Sequence, residues 1–366
     1  MNNKKILFAI SRLTGGGAEH VVSLWANMLS VRGYDVSIML AYRADNEYAV
    51  SDKVDIITIA NSEKEYLSMK LLDKISTIRK ILSKKDMGCV IPFLPAMQIL
   101  IMFSSFGLKC KRIDTIRVNP WEMSSVSGKV GKMLWKLCFI TSNRIIVQTS
   151  EQSEFFSAGT RKKCIVIPNP IGEEYYNKEI THVNYTIQKC VAVGRVCAQK
   201  NYEMMLEGFS NVVRDNPNCR LDIFGAGESG YLEKIQALIR KLGLEENVHL
   251  KGRHNNMDEV YPNYDVFCMT SDFEGLPNAL IEAMASGLVC ISTDCKTGPK
   301  DLICDGDNGF LISVGNAEEF AETLFKIDGM TDDELSSIAN KARECVLNLC
   351  SEKKVIGQLC SLIDTL

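Results

Sequence analysis

The sequence predicts an α/β protein built from two doubly wound domains in tandem, with a cleft between them. Three observations predict it. At 366 residues the chain exceeds one domain of about 100–200 residues. Short β-branched runs alternate with stretches of helical periodicity, and this alternation breaks off once and then restarts. Most of the strand-like runs read as near-continuous apolar stretches rather than apolar at every second residue. Both faces are therefore covered, as in a parallel sheet wrapped by helices.

In the first half the strand-like runs are Lys5–Ile10, Val36–Leu40, Val54–Ile59, Cys89–Ile91, Arg112–Ile116, Arg144–Val147 and Cys164–Ile167. Helical stretches such as Ala18–Val31 and Tyr66–Ser83 lie between them, the first closed by Gly33 as a C-terminal cap. Residues 90–108 carry no charge and are long enough to span a bilayer. Pro92 and Pro95 interrupt them, so they read as a buried strand followed by a buried helix, Ala96–Phe106. The break is the proline-containing, weakly periodic stretch around 167–185. Strands then resume at Cys190–Val193, Arg220–Phe224, Val248–Leu250, Val266–Met269, Val289–Ser292 and Phe310–Ile312. The expected division is 1–170 for the first domain, 171–186 for a linker and 187–350 for the second domain. Residues 351–366 form a C-terminal helix that crosses back to the first domain.

The composition, 46% hydrophobic and 24% charged, excludes a disordered or polytopic membrane protein. Fourteen cysteines are scattered without a CxxC, and there are only four histidines, so no zinc or other metal site is expected. The first apolar run ends at Ser11 and Arg12, too short for a signal-peptide core. Reduced thiols in a cytoplasmic protein are the expectation. The net charge of −3 hides an asymmetry: residues 1–170 hold 24 Lys and Arg against 14 Asp and Glu, and the remainder holds 18 against 31. Such a split points to an anionic partner for the first half alone.

Three loops stand where doubly wound sheets bind ligands, beyond the carboxyl ends of strands. Ser11–Glu19 carries Gly15, Gly16 and Gly17 at a helix opening, which suits close approach of an anion to backbone N–H groups. In 194–201 Arg195 offers a bidentate fork and Lys200 a point charge, a pair fit for a diphosphate; the alternative is two solvated charges. In 271–287 Glu274 precedes Gly275, Leu276, Pro277 and Asn278, and Glu282 stands alone in an otherwise apolar helix. An unpartnered buried carboxylate costs several kcal/mol, so a basic side chain or ligand hydroxyls must meet Glu282. A fourth loop, 224–230, matches G-x-G-x-x-G with Gly225, Gly227 and Gly230. The next strand ends in Lys251, Arg253 and His254 instead of the acidic residue a dinucleotide site wants, although NADP would tolerate them.

On these motifs the chain resembles the retaining GT-B glycosyltransferases of family 4, which use two Rossmann-like domains. The likeness rests on GGGAE after the first strand, IPNP before the break, GRxxxxKN, FGAGE, the E-x7-E of Glu274 and Glu282, and GPKDLICDGDNGFLI at 298–312. The resemblance implies transfer of a hexose or N-acetylhexosamine from a nucleotide sugar, expected to be a UDP-sugar, without metal or other cofactor. Arg195 and Lys200 would hold the diphosphate. Glu274 would meet sugar hydroxyls, and Gly275, Leu276, Pro277 and Asn278 would offer backbone groups to sugar and phosphate. Glu282 would bind the ribose, Arg253 would lie near the base, and Gly16 and Gly17 would close over the phosphate. Retention is explained by front-face attack, in which a donor phosphate oxygen takes the acceptor proton. Glu19, Arg117 and Asn119 are the acceptor-side candidates; Arg117 and Asn119 stand in TIRVNPWE, where many relatives carry a His.

On the acceptor side the sequence offers mainly its charge. Lys70, Lys74, Arg79, Lys80, Lys84 and Lys85 share one helical stretch, and Lys129, Lys132 and Lys136 flank Met133, Leu134 and Trp135. Either group taken alone fits a solvated helix face. Together they favour the anionic inner face of the cell membrane and a polyprenyl pyrophosphate-linked saccharide acceptor. No aromatic-interleaved basic patch supports nucleic-acid binding. Two alternatives stay open here: an NADP-dependent oxidoreductase built on Gly225–Gly230, and a non-catalytic sugar-nucleotide-binding protein.

Overall fold

The structure, a computed structural model, describes residues 4–84, 86–122, 128–177, 185 and 187–366. It divides into two compact units. The first comprises Met1–Pro170 with Glu352–Leu366, the second Ile171–Ser351.

The first unit is a seven-stranded sheet of β1 (Lys5–Ile10), β2 (Asp35–Leu40), β3 (Asp55–Thr58), β4 (Cys89–Pro92), β5 (Lys111–Thr115), β6 (Arg144–Val147) and β7 (Cys164–Val166), in the order β3-β2-β1-β4-β5-β6-β7. Every pairing is parallel. The apolar runs behave as read: Ile6–Ile10 and Val36–Leu40 are buried along their length. β3, at the sheet edge, is only half-buried. The uncharged stretch folds as β4 and the helix Pro95–Ser104, whose Met97, Leu100 and Ile101 join the core. Among the described residues no helix is long and apolar enough to cross a membrane.

The second unit is a six-stranded parallel sheet of β8 (Lys189–Val193), β9 (Arg220–Phe224), β10 (Val248–Gly252), β11 (Val266–Met269), β12 (Val289–Thr293) and β13 (Phe310–Ile312), ordered β10-β9-β8-β11-β12-β13. Both sheets reverse direction of growth beside their first strand, at β1/β4 and at β8/β11. These are the switch points where open α/β sheets leave a crevice.

The stretch 171–186 set aside as a linker differs from that reading over its described part. Ile171 donates from its N–H to the Cys350 carbonyl at 2.8 Å and bridges Ser351, and Tyr175 is buried with its ring centroid 6.2 Å from that of Tyr261. Residues 171–177 are therefore built into the second unit; residues 178–184 and 186 lie outside the described residues. The helix Glu352–Asp364 belongs to the first unit, where Val355, Ile356, Leu359, Leu362 and Ile363 pack in the core with Phe8 and Trp25. Lys4 Nζ caps it by donating to the Ile363 carbonyl at 2.8 Å.

Candidate functional site

The strand order brings the loops after β8 and β11 side by side, although they lie about seventy residues apart in sequence. Lys200 Nζ reaches Glu274 Oε1 at 2.6 Å across that gap. Both side chains are largely buried, at 16% and 9% exposure, so the pair is shielded from solvent. Ser271 Oγ donates to the same Glu274 oxygen at 2.7 Å, and the Thr297 hydroxyl donates to the Glu274 carbonyl. The two loops are tied further by Gln199 Nε2 to the Phe273 carbonyl at 2.8 Å and Asn201 Nδ2 to Asp272 Oδ1 at 2.7 Å. Asn201 sits in the left-handed region at φ 46° and caps the helix Tyr202–Asp215 by accepting from the Met204 N–H. Lys200 is thus held from three sides, by its turn, by the helix cap and by the carboxylate.

Arg195 stands on the same loop but is open. Its guanidinium is paired with Glu228 at 3.3 Å, with both side chains more than half exposed. Such a pair is worth at most about 1 kcal/mol, so Arg195 exchanges partners readily.

The loop Glu274–Pro277 is shaped by a neighbouring glycine. Gly298 has φ +93°, and a Cβ there would lie 2.1 Å from the Gly275 carbonyl oxygen. Leu276 is buried, and Pro277 is the N-cap of the helix Asn278–Ala285, so the positive end of that helix opens beside Glu274. Glu282 corrects one expectation. The helix is apolar around Glu282 but not buried all round: Ala279, Glu282 and the C-cap Ser286 form a partly exposed stripe, while Leu280, Ile281, Ala283, Met284 and Ala285 are buried. Among the described residues no basic side chain meets Glu282; its partner is the Tyr261 hydroxyl, donating at 3.3 Å. Desolvation pushes the carboxyl up to about 7, the Tyr261 hydrogen bond pulls it down, and the Glu174 carboxylate raises it. Arg253 follows the edge strand β10 and is exposed.

The glycines of 224–230 serve packing. A Cβ on Gly225 would lie 1.8 Å from the Gly194 carbonyl oxygen, and one on Gly227 would lie 2.8 Å from Leu232. The Val196 N–H donates to the Ala226 carbonyl at 2.8 Å. This loop is therefore pressed against the Arg195 loop rather than left clear for a dinucleotide.

In the first unit, Gly16 is the N-cap of the helix Gly17–Val31, and the Glu19 carboxylate folds over it: a Cβ on Gly16 would meet Glu19 Oε2 at 2.4 Å. Asn119 is buried, its Oδ1 accepting from the Trp121 N–H at 3.0 Å. Arg117 lies against the rings of Trp25 and Phe93, 4.3 and 5.0 Å from their centroids, and donates from Nη1 to Asn169 Oδ1 at 3.0 Å. Burial lowers its guanidinium to about 9. Among the described residues no three His, Cys, Asp or Glu gather in a group that could hold a metal ion.

Sequence reasoning missed Ser271, Thr297 and Tyr261, which hold the two glutamates, and the aromatic cage of Arg117. Only Ser271 carried a local signal, three residues before Glu274 in the same loop.

Comparison with known proteins bears on these loops. The sequence model of the family described as glycosyl transferases group 1 matches residues 178–344. The chain is 27% identical over 329 residues to the amylovoran biosynthesis glycosyltransferase AmsD of Erwinia amylovora, covering 87% of this chain and 89% of that one. It is 25% identical over 351 residues to the N-acetylgalactosamine-N,N'-diacetylbacillosaminyl-diphospho-undecaprenol 4-alpha-N-acetylgalactosaminyltransferase of Campylobacter jejuni, covering 93% and 94%. The fold is that of HepE of Anabaena, solved with UDP and glucose, at a TM-score of 0.80 and 16% identity over 99% of this chain and 100% of that one.

Proposed function

We propose that the chain is a retaining glycosyltransferase of the glycosyl transferases group 1 family, whose model matches residues 178–344, with two Rossmann-like units of the GT-B fold. It moves a hexose or N-acetylhexosamine from a nucleotide sugar, taken here as a UDP-sugar, to a lipid-linked saccharide. The observation that carries this reading is the meeting of Lys200 and Glu274 at the β8/β11 switch point, 2.6 Å apart, with Arg195 exposed on the same loop.

The roles are those that the resemblance implies, and this geometry supports them. Lys200 has three N–H donors, of which one serves Glu274. The others and the Arg195 fork receive the donor diphosphate, Arg195 by giving up its weak tie to Glu228. Negative charge grows on the diphosphate as the glycosidic bond breaks, so these cations and the helix end at Pro277 bind the transition state more tightly than the ground state. Glu274, fixed by Lys200 and Ser271, accepts from sugar hydroxyls, and Gly275–Asn278 line the same mouth. Glu282 accepts from the ribose, and Arg253 lies toward the base. A donor phosphate oxygen takes the acceptor proton, so neither a protein nucleophile, a metal nor another cofactor is invoked. Gly16, Gly17, Glu19, Arg117 and Asn119 are the first unit's contribution to phosphate and acceptor.

Two relatives support the acceptor class: AmsD by name works in amylovoran biosynthesis, and the Campylobacter enzyme by name acts on a diphospho-undecaprenol carrier. The helix Gly128–Thr141 supports a membrane surface. Its Trp135, Cys138 and Phe139 are buried, yet Val130, Met133, Leu137 and Ile140 stay exposed on another face beside Lys129, Lys132 and Lys136. An exposed apolar stripe with lysines fits an anionic bilayer at the cytoplasmic side. The second basic stretch adds less. Arg79 is spent on the Ser104 and Phe106 carbonyls, and Lys85 lies outside the described residues. The oxidoreductase reading is disfavoured by the packing of Gly225 and Gly227.

The test is a screen of nucleotide sugars for hydrolysis and for transfer to lipid-linked acceptors, with and without EDTA. Turnover of a UDP-sugar that survives EDTA is expected. Strict dependence on Mg²⁺ or Mn²⁺, or NADPH binding in place of UDP-sugar, would overturn the proposal.

A further inference from the structure

Among the described residues Arg117 is a cation without a counter-charge. Its Nη1 is satisfied by Asn169, but Nε and Nη2 are buried and find no partner among those residues. Those two nitrogens form one edge of the guanidinium, the edge that grips two coplanar oxygens of a phosphate or carboxylate. Trp25, whose ring lies 4.3 Å from the guanidinium carbon, has a buried Nε1–H that is likewise unpartnered. Two neighbouring residues thus present three buried donors with no acceptor for any of them among the described residues. Desolvation alone acts on Arg117 and lowers it to about 9; no carboxylate raises it. A fold that buries donors normally pairs them, because each orphan costs about 1–3 kcal/mol, more if charged. The place is also one where ligands bind: Arg117 follows β5 and Phe93 follows β4, at the carboxyl edge of the first unit's sheet near its switch point.

We infer that Arg117, with Trp25, forms an oxyanion-binding site in the first unit that takes a phosphoryl or carboxylate group carried by the acceptor. The word acceptor rests on the transferase reading above; the oxyanion site does not. The site would make the enzyme select charged acceptors, because leaving these donors unpaired penalises a neutral one. The donors are shut off from solvent, so binding must shift the side chains around them, and Trp25 reports that shift. The second unit contains no tryptophan: the chain has three, at 25, 121 and 135, all in the first unit.

The first probe is inorganic pyrophosphate, followed by tryptophan fluorescence. A saturable change is expected in the parent and in Arg195→Ala, and its loss in Arg117→Met. That variant fits an apolar side chain between the rings and removes a buried uncompensated charge, so it is expected to fold. Should it not fold, Arg117→Lys keeps the charge without the fork and is expected to bind at least ten-fold more weakly. An unchanged response in either variant would overturn the site. The second arm compares acceptors bearing a phosphate, a uronate or no charge. The preferred charged class names the source of the oxyanion, and its advantage in kcat/KM, at least ten-fold, is expected to collapse in Arg117→Met. A preference that persists in the variant would also overturn the site. Pyrophosphate binding with no nucleotide sugar turned over would sustain the site and remove the transferase reading. Turnover with neutral acceptors preferred and no pyrophosphate response would do the reverse.

Discussion

Glu274 and Glu282 sit eight residues apart, yet their surroundings set them different tasks. Glu274 has Lys200 at 2.6 Å and Ser271 at 2.7 Å, so its charge is balanced before any ligand arrives. Glu282 has a phenol hydroxyl and the repulsion of Glu174. Its carboxyl, ordinarily at 4.5, stands at about 7, raised chiefly by desolvation. The folded state therefore binds this proton more tightly than the unfolded chain. The contribution to stability is full below about pH 4.5 and is lost as pH rises through about 7. A ribose hydroxyl donating to the carboxylate favours the charged form, so UDP affinity should rise over the same window. Calorimetry with UDP between pH 5.5 and 8 should give a steeper rise in the parent than in Glu282→Gln; the titration of UDP itself is common to both and cancels. Equal slopes would remove the ribose role. Glu274→Gln, by contrast, should leave UDP binding near the parent value and damage turnover. The cations carry a larger effect: Arg195→Ala and Lys200→Ala should each lower kcat by about 10²–10³-fold, the usual cost of losing one donor to a developing oxyanion. A change confined to KM would mean that they hold only the ground-state donor.

The elements explain why some of this was legible and some was not. Continuous apolar runs such as Lys5–Ile10 and Val289–Ser292 announced strands buried on both faces, and β1 and β12 are buried in that way. Val54–Ile59 also reads as a strand, although Asp55 and Thr58 interrupt its apolar run; β3 is shorter and half-buried, at the sheet edge that topology alone assigns it. The loops of the candidate site were legible because their glycines, prolines and charges are consecutive. Their partners were not: Tyr261 reaches Glu282 from another element, and Trp25 and Phe93 meet Arg117 only once β1, β4 and β5 are ordered. The loop after β11 depends on such a remote partner. Gly298→Ala would place a Cβ 2.1 Å from the Gly275 carbonyl oxygen at a backbone φ of +93°. The backbone must then shift, and it is the backbone that sets Glu274 and the helix mouth. We expect kcat to fall at least ten-fold, together with a loss of stability above about 1 kcal/mol. Parent-like turnover at unchanged stability would mean that the Gly275–Pro277 conformation is unimportant to the reaction.

On the scale of the whole molecule the charge is partitioned by unit. The helix Glu352–Asp364 and the two residues after it bring two lysines, one Glu and one Asp to the first unit, which therefore keeps its surplus of ten cations, while the second unit keeps the acidic excess. Some of those cations are consumed internally, Arg79 on helix-end carbonyls and Arg112 on Asp114 at 2.8 Å, so a surplus does not by itself make a binding surface. The helix Gly128–Thr141 does more: it exposes Val130 at 66%, Met133 at 62% and Ile140 at 58% beside its lysines. If this face meets an anionic bilayer, the protein should bind vesicles containing anionic lipid and leave them as salt rises, since the attraction decays over a Debye length of about 8 Å at physiological ionic strength. Each basic residue near the surface contributes about 1 kcal/mol, so reversing Lys129, Lys132 and Lys136 to Glu should release the protein from vesicles. Replacing Met133 and Ile140 by Ser removes apolar contact without touching charge. That variant should bind more weakly at every salt concentration while keeping the parent's salt dependence. Both variants should slow transfer to a lipid-linked acceptor and leave donor hydrolysis intact, because the loops proposed to hold the donor belong to the second unit. Vesicle binding equal to the parent in both would make the lysines a solvated face and the exposed apolar residues idle. The acceptor would then be a soluble saccharide.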